Sequence, residues 1–158
     1  MSERSATLLI VMVVAFGLLL ALFQRRESGP PQASNKAVAL TPEMVPLVTG
    51  EEPITVIFTK AGCPVCHTIP GIPGAEGRVG PPLWLGTTGA ARLVDPAYGG
   101  RAKTIREYVV ESVVEPGVYV VPGYPASTMP TWYGTKLSAL ALEKISAYLE
   151  PLQAPASL

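Results

Sequence analysis

The seven residues Ala61-Gly-Cys-Pro-Val-Cys-His67 constrain this chain more than any other stretch. They contain both of its cysteines and its single histidine. Two cysteines cannot build the disulfide framework of a small secreted fold, and a single imidazole limits any metal site drawn from the chain alone. Whatever thiol or imidazole chemistry the protein performs is therefore concentrated here. The 17 prolines and 15 glycines argue against long regular helices and for a loop-rich fold. With 12 basic and 12 acidic residues the formal net charge is zero, and nothing in it suggests nucleic acid, which would need a basic face.

Three chemistries use this spacing. The first is a thioredoxin-like dithiol. Ile54-Thr-Val-Ile-Phe-Thr59 is β-branched and strand-like and leads into the motif, and Thr128-Met-Pro130 resembles the Thr-x-Pro loop of that fold. A reactive dithiol, however, sits at the start of a helix that lowers the thiol pKa, and Pro70 and Pro73 would break such a helix. The second is zinc, which takes four ligands, or three and a water. Cys63, Cys66 and His67 could supply three only by crowding, and no second Cys/His cluster closes the site. The third is covalent haem, for which Cys-x-x-Cys-His is the attachment signature. Two thioethers hold the vinyl-derived positions on one edge of the porphyrin, and the tight turn between them brings the next residue beneath the iron. His67 then offers a neutral imidazole nitrogen as axial ligand.

A second axial ligand is available on the haem reading. Met1 and Met12 belong to the apolar N-terminus and Met44 to the segment before the domain; only Met129 follows the motif. It sits in Gly123-Tyr-Pro-Ala-Ser-Thr-Met-Pro-Thr-Trp-Tyr-Gly134, where Pro130 fixes φ and helps hold one pose. Most methionines fill core gaps, but a lone methionine in a polar Pro/Gly loop suits ligation better. Trp84, Tyr124 and Trp132 read equally as haem-wall or propionate contacts and as ordinary aromatics.

Helices are expected in three places. Glu51 to Lys60 reads as a short helix with Pro53 at its first position and acids at its positive end, although its β-branched content favours strand. Ala102 to Val114 places Ile105, Tyr108, Val109 and Ser112 on one face and stops at Glu115-Pro-Gly. Ser138 caps a last helix to Leu149, with Leu142, Ile145 and Leu149 at helical spacing. The course of Gly71 to Gly80, rich in Gly and Pro, is not fixed by any such pattern.

The order of these pieces resembles a class I monohaem cytochrome c, over roughly Gly50 to Leu152. The similarity rests on Phe58-Thr-Lys-Ala-Gly-Cys-Pro-Val-Cys-His67, Gly80-Pro-Pro-Leu83, Tyr108-Val-Val-Glu-Ser112, the Met129-Pro130 pair and the closing Leu-Ser helix. It looks closest to cytochrome domains attached to membrane oxidases. The resemblance implies a mainly α fold wrapped around one covalent haem c, His67 and Met129 as iron ligands, and the Pro81 carbonyl as acceptor for the proton on the other His67 nitrogen. Leu83 would stand in the haem wall. It also implies an electron carrier rather than an enzyme, working with a quinol-oxidising complex, a terminal oxidase or a dehydrogenase. The alternatives are a haem-bearing subunit of a larger membrane oxidoreductase complex, and a haem-based gas sensor or enzyme, which would need Met129 absent or easily displaced.

Ala6 to Phe23 is uncharged over eighteen residues, long enough as a helix to reach across a bilayer's hydrocarbon core. Residues 1–24 are thus expected to form one transmembrane helix, uncleaved, with the haem domain on the periplasmic side of the inner membrane. The positive-inside count is nearly even and leans the other way; the haem reading decides the orientation. Residues 25–48, rich in Pro, Ala and Ser, are expected to form a linker, 49–152 the cytochrome domain, and 153–158 a flexible tail.

Overall fold

In the computed structural model residues 12–13, 16–20 and 41–156 are described, and the chain divides into the units Met1–Ala37 and Val38–Leu158. The fold is mainly helical, as expected, but the expected transmembrane helix is not found. Among the described residues no helix is long and apolar enough to cross a membrane. Within Ala6–Phe23 only residues 12–13 and 16–20 are described, and both stretches are helical. The rest of that expectation lies outside the described residues, as do residues 25–40 of the expected linker.

In the second unit the elements are α1 (Ile54–Ala61), α2 (Cys63–Cys66), α3 (Leu85–Leu93), α4 (Ile105–Val114) and α5 (Ala139–Leu149). Helix α1 forms despite Ile54, Thr55, Val56 and Ile57 because its inner face is buried: Ile57, Phe58 and Ala61 are fully enclosed. Burying a side chain of the size of Ile57 or Phe58 contributes about 1.5–3 kcal/mol, more than the few tenths per residue that β-branching costs a helix. Pro53 stands at the N-cap rather than at the first helical position expected for it. Gly62 ends the helix in the left-handed region at φ 74°, its N–H closing on the Phe58 and Thr59 carbonyls. A residue with a Cβ would be strained there. That reversal separates α1 from the single helical turn carrying the two cysteines.

Helix α3 has no counterpart among the sequence expectations. Its apolar pattern is diluted by Gly86 and Gly89, yet both glycines serve close approaches. A Cβ at Gly89 would meet the Ile105 side chain of α4 at 3.0 Å, and one at Gly86 would meet the backbone of Pro151 and Leu152 at 2.9 Å. Helix α4 begins three residues later than expected, where Thr104 and Glu107 form a capping box. Helix α5 is capped by Ser138, whose Oγ accepts from the Ala141 N–H at 3.1 Å. It packs against α4 and α1, burying Ala141, Ile145 and Leu149; Leu142 is half-buried.

The boundaries of this unit are wider than expected. Residues 41–48, read as linker, pack onto the domain. Val45 and Val48 are buried, and Val48 pairs with Leu137 in an isolated parallel bridge through the Lys136 carbonyl and the Ser138 N–H. At the other end the Ala154 N–H donates to Thr87 Oγ1 at 2.8 Å, so the expected tail begins as part of the α3 surface.

Candidate functional site

The one-turn helix α2 follows Gly62 and carries Pro64 in its first turn, where the missing N–H costs nothing. The turn cannot continue. His67 takes an extended backbone, φ −115° and ψ 142°, so its side chain leaves the axis of the cysteine turn. Beyond it the chain runs through Ile69, Ile72 and Ala75, all buried, and returns to the motif.

The returning segment clasps the histidine. The Gly80 N–H donates to the Cys66 carbonyl at 2.8 Å and the Leu83 N–H to the Thr68 carbonyl at 2.9 Å. Thr68 Oγ1 donates to the Gly77 carbonyl at 2.9 Å. Two glycines make this approach possible. A Cβ at Gly77 would stand 2.5 Å from the Cys66 carbonyl carbon, and one at Gly80 would stand 2.4 Å from His67 Cε1. Gly80 therefore lies directly against the imidazole, and no larger residue fits without moving the ring. His67 Nδ1 lies 2.7 Å from the Pro81 carbonyl oxygen. A carbonyl only accepts, so Nδ1 carries the proton and Nε2 keeps its lone pair. This is the contact that the resemblance implies for Pro81.

These elements enclose one side of a cavity of about 520 Å³. Cys63, Cys66, His67, Pro81 and Leu83 line it, and so do Tyr124, Met129 and Trp132 from the loop after α4. Trp84 does not: it stands at the N-cap of α3, where its carbonyl accepts from Thr87 and Thr88. The floor is apolar, with Phe58, Leu85, Val109, Ile145 and Leu149. Tyr133 also lines the cavity, its hydroxyl donating to the Ala61 carbonyl at 3.0 Å behind α2.

Arg92 was not anticipated. It lies on α3, is 8% exposed and lines the cavity. Its guanidinium donates to the Tyr108 hydroxyl and the Pro82 carbonyl, both at 3.4 Å, and it forms no ion pair among the described residues. A buried cation without an anion is costly, so an occupant with a carboxylate would complete this wall. The only sequence signal was a basic residue placed on the buried face of a helix whose glycines concealed it.

The electrostatics of the motif disfavour a reactive dithiol. Burial pushes the Cys63 thiol up to about 12 and raises Cys66 as well. Thiols used as nucleophiles are shifted the other way, and α2, four residues long, continues into no longer helix. Burial lowers the His67 pKa, and the Arg92 charge adds to that, against the Pro81 hydrogen bond. Among the described residues no group of three or more His, Cys, Asp and Glu side chains is placed to hold a metal ion by itself.

A porphyrin fits these residues. The volume lies within the range of about 300–1,000 Å³ usual for cofactor pockets. Two thiols, an imidazole with its lone pair free and a thioether line the same space, and the walls are mostly apolar, with the Arg92 guanidinium and hydroxyl side chains such as Tyr108, Ser112 and Tyr119 among them. No family model matches the chain, and no curated protein or solved structure matches it.

Proposed function

We propose that the Val38–Leu158 unit is a c-type cytochrome domain that carries single electrons between redox proteins. The observation that supports this most is convergence. Cys63, Cys66, His67 and Met129 line one cavity although Met129 lies far along the chain from the other three.

On this reading Cys63 and Cys66 would hold haem c through thioethers, and His67 Nε2 and Met129 Sδ would be the donors to its iron. Bound there, the haem supplies one-electron exchange with no coordination position left for a substrate. The Pro81 carbonyl fixes the imidazole plane and strengthens Nε2 as a donor. Gly77 and Gly80 let the backbone close on the ligand without a gap. The Met129 thioether favours the ferrous state and raises the potential. The apolar floor at Phe58, Leu85 and Val109 excludes water and disfavours the extra positive charge of the ferric state. Arg92, buried in the cavity wall, would pair with a carboxylate of the bound group. The donor and acceptor are proteins of the class of quinol-oxidising complexes, terminal oxidases or dehydrogenases, and the resemblance puts the domain on the periplasmic side.

A potentiometric titration tests the function. The expected result is a single wave at positive potential with a slope of about 59 mV per decade, the one-electron value, and no binding of carbon monoxide to the ferrous protein. Stoichiometric carbon monoxide binding would favour the gas-sensor class and contradict the carrier.

A further inference from the structure

Ser127 is the one non-glycine residue with a positive φ among the described residues, at 57°. The other five such positions, Gly50, Gly62, Gly71, Gly74 and Gly123, are all glycine, which adopts this conformation without penalty. For serine the bias against it is roughly tenfold. Such strain persists only where surrounding structure over-determines it.

Ala126 and Ser127 form a turn between Pro125 and Thr128, and Ser127 stands at its third position, where a positive φ ordinarily calls for glycine or asparagine. Thr128 Oγ1 also donates to the Pro125 carbonyl across this turn at 3.1 Å. Ser127 and Thr128 are exposed, whereas Met129 is half-buried and packs against the core. On the far side Pro130 restricts Met129 to extended conformations. The residue that ties this turn to the domain is Met129, seated in the cavity wall and bracketed by a left-handed residue two positions before it and a proline directly after.

We infer that Ser127 is a positioning residue that sets how firmly Met129 is seated. Seating keeps Ser127 left-handed; release lets it relax to an extended conformation. The inference rests on the proposed ligation of iron by Met129.

Imidazole competes with Met129 for the coordination position and measures the seating. The full chain carrying its haem is titrated with imidazole in the ferric state, following the red absorption band of methionine ligation, with melting temperature recorded in parallel. Ser127→Gly removes the strain but loosens the released loop, so imidazole affinity is expected to fall about threefold. Ser127→Asn, which tolerates the left-handed region, should lie between glycine and the wild type. Ser127→Val, for which that region is an outlier, should bind imidazole more than about tenfold tighter or lose the band without it. A merely structural role would move the melting temperature and leave this order absent. Equal imidazole affinity in the glycine, asparagine and wild-type proteins would overturn the inference, and those three decide it even if the valine protein takes up no haem. Failure of the underlying reading has a different signature: a wild-type protein with covalent haem and no red band removes Met129 from the iron altogether.

Discussion

Met129→Ala is expected to abolish the weak red band of methionine-ligated ferric haem and to lower the reduction potential while leaving the haem covalently attached. Alanine offers no donor, and the other methionine among residues 41–156, Met44, is 55% exposed and does not line the cavity. The opened coordination position passes to water or another hard ligand, which favours the ferric state. Axial ligands span about 0.8 V of haem potential, so a fall on the order of 100 mV or more is expected. Attachment depends on Cys63 and Cys66, which lie on α2 and not on the Met129 loop. Visible spectra and potentiometry check both halves. A variant with the wild-type spectrum would remove Met129 from the site.

The double substitution Cys63→Ala with Cys66→Ala has the larger effect on the fold. It should leave almost no holoprotein and no stable domain. The cavity measures about 520 Å³ and is walled by Phe58, Leu85, Val109, Ile145 and Leu149. Residual cavities cost about 24 cal/mol per Å³, so this one would cost about 12 kcal/mol if it stayed dry, and less where water enters. The whole stability of a domain is about 5–15 kcal/mol. Leaving the apolar floor unfilled is therefore expected to cost a large share of that stability, so that the walls collapse or the domain unfolds. Haem content by absorbance and the loss of cooperative thermal unfolding report the outcome. A well-folded, haem-free domain from this variant would contradict the reading.

Much of the site was legible because its signals are local. Ser138 announces α5 by capping chemistry, and the cysteine–histidine spacing describes its own geometry. Thr104 and Glu107 carried an equally local signature, a capping box that placed the start of α4 three residues beyond the expected one. What escaped was written in distant contacts. Gly86 and Gly89 lower the helix propensity of α3, and only their packing against Pro151, Leu152 and Ile105 reveals them as crossing points. With α3 hidden, Arg92 could not be placed on the cavity wall, and Trp84, which reads equally as a wall contact and as an ordinary aromatic, stands at the N-cap of α3 and does not line the cavity. Val45 and Val48 lie among prolines and read as linker; their burial depends on a bridge to Leu137, far along the chain. The opposite error arose at Ala6–Phe23. Hydropathy is a local sum, and among the described residues no helix is long and apolar enough to cross a membrane.

The most direct test of the central claim is a pyridine haemochrome spectrum of the purified full chain after denaturation, together with a count of free thiols on the same sample. Denaturation removes the burial that holds the Cys63 thiol up at about 12, so any unattached cysteine becomes free to react. The expected result is one haem c per chain that survives denaturation and solvent extraction, with neither cysteine open to alkylation. A colourless polypeptide whose two thiols both react would contradict it.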